Sequence, residues 1–270
     1  MEVIAAKDNS KLKLIRSLRL KKHRREQGLF PAEGLRLAEE AARWGDCAFA
    51  LFSEDALAGP RAARLAQSFR DAGVACFCTA PALFNSAAAT ENPQGVLAVC
   101  RIPALTEPAP APWFAYGDGL SDPGNLGAVM RSAAAAGCGG LLLSPTAADP
   151  WNPKTVRASM GAVFRLPLWQ AESDEAAYEL LTRLQAVPLV TAMDGRDIRL
   201  CRDLLARPHC WILGAEAEGV SLFWRQRAAA AVSLPMAAGT ESLNVSCAAA
   251  VLFYQSFFAA DTCPVNSDVI

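Results

Sequence analysis

The stretch Gly117–Ala133, GDGLSDPGNLGAVMRSA, decides how the second half of this chain folds. It follows WFAYGD, an apolar run of strand length, and is dense in Gly, Asp, Pro and Asn before it turns alanine-rich. A strand, a turn-rich loop and a helix in that order open a βα unit. Asn125 is of the type that caps helix N-termini. Arg131 stands six residues further on, about 1.7 turns along a helix. An arginine among Ala and Gly is either surface filler or a side chain given room to work, and spacing alone does not choose.

Downstream the alternation continues. GGLLLSP reads as a strand, NPKTVRASMGAVF as a helix, RLPLW as a short strand and DEAAYELLTRLQA as a helix. PLVTAM and CWILG read as strands, and LNVSCAAAVLFYQSFFAA as a long apolar closing helix before a polar tail from Asp261. Strands apolar throughout suit a parallel sheet covered on both faces. Two more loops share the character of the first. WILGAEAEGVS (211–221) ends a strand at Gly214 and carries Glu216, Glu218 and Gly219. LPMAAGTESLNVSCAAA (234–250) ends a strand at Pro235-Met236 and leads through Ser242, Leu243 and Asn244 into the last helix. Singly, these read as a solvated turn and a helix cap. Together they give three glycine-rich, polar strand ends, and such a crevice is where open α/β sheets bind ligands. The spacing fits no dinucleotide fingerprint, P-loop or nucleophile elbow.

Upstream, RIPALTEPAPAPW (101–113) carries Pro103, Pro108, Pro110 and Pro112 without periodicity and reads as an extended linker. Before it come a basic helix over about 9–25, a helix at LRLAEEAARW, a strand at AFALFS, a helix at RAARLAQSFRDAG and strands at VACFCT and GVLAVC. The reading is therefore a small α/β domain over 1–100, a linker over 101–112, a second α/β domain over 113–260 and a tail over 261–270.

Net charge is −1, yet Lys11, Lys13, Arg16, Arg19, Lys21, Lys22, Arg24 and Arg25 follow one another with no acid among them. Such a run is either a solvated helix face or a surface that tracks phosphates. The nine cysteines are odd in number and irregular in spacing, and no C-x-x-C pair occurs. Most sit in apolar runs as small hydrophobes. With only His23 and His209 beside them, no zinc site is expected. The polar N-terminus and the lack of any run of about 18 apolar residues lead us to expect a soluble, cytoplasmic protein without a membrane span.

Taken together, DPGNLGAVMRSA, ILGAEAEG and LPMAAGTESLNVS resemble the three signature motifs of the SpoU/TrmH family of RNA 2′-O-methyltransferases, in the SPOUT superfamily, and in the family's order. Asn125, Gly127 and Arg131 match N-x-G-x-x-x-R, and Gly214, Glu216 and Gly219 match G-x-E-x-x-G. Pro235, Met236 and Ser242 to Ser246 match P-M…S-L-N-V-S. NPKTVRASMGAVF (152–164) is similar to a segment between the first two motifs. RREQGLFPAEG (24–34) and TENPQGVLAV (90–99) resemble the family's RNA substrate-binding domain. The resemblance covers the chain up to about residue 260. It departs at Ala215, often polar in the family, and at Ala217 and Ala238, often glycine.

The resemblance implies a trefoil-knotted α/β methyltransferase domain behind a small L30e-like α/β substrate-binding domain. It implies S-adenosyl-L-methionine (SAM) held bent against the knot loops, with Leu213, Gly214, Glu216, Gly219, Leu234, Pro235, Met236 and Leu243 as its cradle. It also implies a homodimer with the site near the interface, and chemistry without metal. The family's equivalent of Arg131 is associated with deprotonating the 2′-hydroxyl. Since arginine keeps its proton in proteins, we read Arg131 as a clamp that stabilises developing alkoxide charge. Ser242 and Asn244 would orient the ribose or Arg131, Asn125 would shape the first loop, and Glu216 would pair with Arg131 or with a partner-chain residue. Lys11 to Arg25, with Glu33, would hold the RNA, ribosomal rather than transfer; Glu33 also reads as a helix-start acid. The rival readings are a base-nitrogen methyltransferase, a tRNA 2′-O-methyltransferase and a non-catalytic RNA-binding assembly factor on the same fold.

Overall fold

A computed structural model describes residues 1–216, 218–239 and 242–260; the expected tail, with Cys263, lies outside the described residues. The chain divides into two compact units, Met1–Ala104 with Asp149–Arg165, and Leu105–Ala148 with the residues from Leu166 onward.

The first unit is laid out as β1 (Glu2–Ile4), α1 (Ser10–Ser17), α2 (Lys21–Gln27), β2 (Leu29–Glu33), α3 (Leu35–Trp44) and β3 (Cys47–Ser53). After these come α4 (Glu54–Leu57), α5 (Pro60–Asp71), β4 (Ala75–Thr79), α6 (Pro81–Ala87) and β5 (Val96–Arg101). Its sheet runs β1-β4-β3-β5-β2, with β5 antiparallel to both neighbours. Leu12, Ile15 and Leu18 bury one stripe of the basic segment against Phe49, Phe77 and Phe84. The expected single basic helix is instead two, because Leu18 is fully buried and the backbone is extended at Leu20. Arg24 folds back across the break, and its guanidinium donates to Leu18 O and Arg19 O, both at 2.8 Å. That interaction serves carbonyls the interrupted helix leaves unpaired.

The second unit holds β6 (Trp113–Asp118), α7 (Pro123–Ala135) and β7 (Leu141–Leu143). The chain then contributes α8 (Pro153–Ala158) to the first unit before β8 (Leu168–Gln170), α9 (Asp174–Arg183), β9 (Val187–Asp197) and α10 (Arg202–Leu205). Last come β10 (His209–Gly214), α11 (Leu222–Arg227), β11 (Ala230–Ser233) and α12 (Val245–Ala259). The sequence reading assigns 149–165 to the second domain, but these residues pack with the first unit. The Phe30 ring lies 4.8 Å from that of Trp151 and 5.8 Å from that of Phe164.

The second sheet is parallel throughout, in the order β11-β9-β10-β6-β7-β8. From β6 the chain builds outward through β7 and β8, then crosses to the other side for β9, β10 and β11. The strand order therefore reverses between β6 and β10, and the loops leaving these two strands open a crevice there. Among the described residues no helix is long and apolar enough to cross a membrane.

Candidate active site

The loop after β6 is anchored from both ends. Asp118 is buried and its Oδ2 accepts the Ser221 N–H at 2.7 Å; burial pushes its carboxyl above the usual range. Gly119 takes a left-handed turn at φ +70°, and its N–H donates to Ser144 Oγ at 2.9 Å. The cap of α7 is Asp122, whose Oδ1 accepts the Asn125 N–H at 2.8 Å. Asn125, expected as the cap, thus sits in the first turn and keeps its side chain for another task. Its Nδ2 donates to the Glu216 carboxylate.

Glu216 belongs to the loop after β10. Gly219 there has φ +70°, and its N–H returns to Ala215 O at 2.9 Å. A Cβ on Gly214 would stand 2.1 Å from the Gly219 carbonyl carbon. Only glycine fits so close a backbone crossing.

The third loop closes the group. Asn244 caps α12, its Oδ1 accepting from Ser246 N at 2.9 Å and Ser246 Oγ at 2.6 Å, while its Nδ2 donates to Asn125 Oδ1 at 3.0 Å. One hydrogen-bonded line therefore runs Glu216–Asn125–Asn244–Ser246 and draws on all three loops.

Beside this line lies a cavity of about 550 Å³, within the range of small-molecule sites. Of the expected cradle, Gly214, Glu216, Gly219, Leu234, Pro235, Met236 and Leu243 line it, and so do Ser242 and Asn244. Leu213 does not; it is buried within β10. The sequence reading missed Thr191, Ala192 and Met193 of β9 and Ala248 and Leu252 of α12 on the same wall. The small residues and the polar-apolar mix of these stretches gave no signal separate from ordinary core.

Arg131 is exposed, has no hydrogen-bond or ion-pair partner among the described residues, and lies outside the cavity lining. The expected pairing with Glu216 is not formed within the chain, where Asn125 takes that carboxylate instead. Among the described residues no group of three or more His, Cys, Asp or Glu is placed to hold a metal ion.

In the first unit two of the expected RNA contacts need correcting. Arg24 is buried, with its guanidinium on Asp149 and on the carbonyls of the α1 end, so it presents no charge to a ligand. Glu33 is buried at the end of β2 and accepts from Ala89 N–H at 2.7 Å and from Thr90. It pins the loop before β5 and neither starts a helix nor faces solvent. Arg16 and Arg19 donate to backbone carbonyls of the first unit, Lys11 lies over the Phe49 ring, Lys13 pairs with Asp8 and Lys22 with Glu26. Lys21 and Arg25 stand exposed without partners among the described residues.

Comparison with known proteins places the chain. The model of the SpoU rRNA Methylase family matches residues 114–254, and that of the MRM3-like substrate binding domain matches residues 9–98. The chain belongs to the SpoU rRNA methylase family. It is 29% identical to the 23S rRNA (guanosine(2553)-2′-O)-methyltransferase RlmP of Bacillus subtilis, over 94% of this chain and 98% of that protein. It is 30% identical to an uncharacterized tRNA/rRNA methyltransferase of Synechocystis, over 94% of this chain and 92% of the relative. The SpoU methyltransferase AviRb of Streptomyces viridochromogenes, solved in complex with the cofactor AdoMet, superposes with TM-score 0.81 at 26% identity, covering 93% of this chain and 97% of that one.

Proposed function

We propose that this protein transfers a methyl group from SAM to a ribose 2′-hydroxyl of ribosomal RNA. The observation that carries the reading is the Glu216–Asn125–Asn244 line, which ties the three motif loops together along one side of a ligand-sized cavity.

The cavity fits the cofactor. Its walls offer apolar side chains from Leu234, Met236, Leu243 and Leu252 for a flat ring, and Gly214 and Gly219 bring bare backbone to its lining. Bound SAM supplies an activated methyl on a sulfonium. The protein has then to align the acceptor oxygen and to steady it as its proton leaves. Alignment alone contributes about 7–11 kcal/mol in favourable cases. Asn125 and Asn244 hold the loops in register for that purpose, with Ser242 beside them on the cavity wall. Arg131, exposed and uncommitted, is assigned to a phosphate or to the acceptor oxygen, where a fixed positive charge stabilises developing alkoxide.

Helix α12 is apolar on every side, with Val251 44%, Tyr254 39% and Phe258 70% exposed; a helix of that kind is covered by something. We assign it to a homodimer interface. Lys21 and Arg25 lead the RNA-tracking surface of the first unit. Membership of the SpoU rRNA methylase family supports a trefoil knot in the second unit. We assign the protein to the cytoplasm.

The test is transfer of label from methyl-tritiated SAM to unmodified ribosomal and transfer RNA, followed by nuclease digestion. Label on ribose of ribosomal RNA is expected. Label on a base, on transfer RNA alone, or on neither despite tight RNA binding, would each overturn the proposal in a different direction.

A further inference from the structure

Outside the cavity, one pair of reactive side chains stands apart. Cys47 begins β3 and Cys100 lies near the end of β5, fifty-three positions on, and their Sγ atoms are 3.7 Å apart. The two residues are direct partners across the antiparallel ladder. The Arg101 N–H donates to Asp46 O at 2.8 Å and continues the contact one residue beyond the pair. The register shifts between Cys47 and Phe49, beside the pair; directly opposed antiparallel residues have Cα atoms about 4.5–5.5 Å apart. That separation falls inside the range a disulfide spans, about 4.4–6.8 Å. Among the described cysteines no other two sulfurs touch.

The two thiols are also unequal. Cys47 is half-buried, so a small oxidant reaches it, whereas Cys100 is fully buried. The Cys100 thiol as hydrogen-bond partner lowers the Cys47 thiol below its usual range, and the same contact, with burial, pushes Cys100 well above. Elsewhere in this unit burial pushes Cys76 and Cys78 up. An accessible thiol next to a buried resolving thiol is the arrangement of a redox-responsive pair.

The geometry points to Cys47 and Cys100 as a reversible dithiol–disulfide site in the first unit, which takes up oxidising equivalents from low-molecular-weight disulfides. The Cys47 thiolate attacks one sulfur of the small disulfide and releases one thiol. The Cys100 sulfur gives up its proton and attacks Cys47 Sγ, which expels the second thiol. Two protein S–H bonds are lost and one S–S bond forms, while the oxidant's S–S bond becomes two S–H bonds. The link bridges β3 and β5 and closes a loop through α5, β4 and α6, so it constrains the unfolded chain.

The experiment equilibrates the full-length protein with a series of oxidised-to-reduced glutathione ratios, quenches by acid and maps thiols by peptide mass spectrometry. The expected product is a Cys47–Cys100 linked peptide, lighter by two hydrogens, reversed by dithiothreitol and accompanied by a higher thermal midpoint. Cys100→Ser is expected to trap glutathione on Cys47 as a stable mixed disulfide, and Cys47→Ser to leave Cys100 unreacted. Persistent glutathionylation of Cys47 in the unsubstituted protein, a link between other cysteines, or free thiols at both positions throughout the series would overturn the proposal. So would a Cys100→Ser protein that takes up no glutathione at Cys47.

Discussion

Asn244 Nδ2 donates to Asn125 Oδ1 at 3.0 Å, joining residues 119 positions apart. Each asparagine is also engaged elsewhere, Asn125 with Glu216 and Asn244 with the first turn of α12. The bond therefore couples the loops after β6, β10 and β11 more than it stabilises any one of them. Replacing either residue by alanine should lower methyl transfer by about 100-fold, the scale of a misplacement of about 1 Å. The double substitution should cost far less than the product of the two. Steady-state rates of the three proteins check this, and multiplicative losses would contradict the coupling.

Arg131 predicts a different pattern. Because it is exposed and bonded to none of the described residues, Arg131→Ala should leave the thermal midpoint and SAM affinity unchanged while turnover falls by about 100-fold or more. Arg131→Lys should recover little, since a point charge does not reproduce a planar fork. Calorimetric SAM binding beside single-turnover rates separates the two effects.

Gly214→Ala should damage both stability and cofactor binding, because the added methyl carbon meets backbone at 2.1 Å. Overpacking of this kind costs about 1–3 kcal/mol. SAM affinity should fall by at least about tenfold, equivalent to about 1.4 kcal/mol. Unchanged SAM affinity would place the cofactor elsewhere.

Two arginines of the basic segment should behave oppositely. Arg24→Ala leaves Asp149 without its buried partner, at 2.5 Å in the intact protein, and should destabilise the first unit by about 3–5 kcal/mol. Arg25→Ala, at an exposed position, should leave stability alone. It should weaken binding to all RNA sequences alike and reduce the salt slope by about one. Denaturant titration and binding isotherms at several salt concentrations decide between them.

His209 gives the pH dependence its sign. It is buried, with Nδ1 toward Arg207 O at 2.9 Å and Nε2 toward Ser256 Oγ at 2.7 Å, and Ser256 Oγ also accepts from Trp211 Nε1 at 2.8 Å. Burial lowers its pKa below the ordinary 6.5, so the folded protein holds fewer protons there than the unfolded chain. Its contribution is complete above that ordinary value and is lost as pH falls through the lowered one. Chemical denaturation between about pH 7.5 and 5 should show this loss in the intact protein and a shallower one in His209→Gln.

The sequence made some of this legible and hid the rest for physical reasons. The second sheet was readable because its strands are apolar runs separated by turn residues, and the motif loops stood out as polar, glycine-rich strand ends. Helix α3 and the helix begun by Pro60 matched their amphipathic patterns. The break between α1 and α2 was invisible, since no Gly or Pro marks it; it depends on Leu18 finding a core and Arg24 finding Asp149. Strand β2 was hidden because LFPAE contains proline, tolerated there at the sheet edge. At the site, residue types were legible and pairings were not. Nothing in Asn125 says that Asp122 will take the cap and release it to Glu216.

The excursion of Asp149–Arg165 into the first unit has a consequence for how the protein comes into being. Synthesis runs from the N-terminus, and domains ordinarily close as they emerge. Here the first hundred residues leave the ribosome without Trp151 and Phe164 to cover Phe30, and without Asp149 to neutralise Arg24. The nascent first unit must wait, with a charged guanidinium and an aromatic face unserved, until residues 149–165 have been translated. A fragment cut at the proline-rich linker would stay in that waiting state permanently.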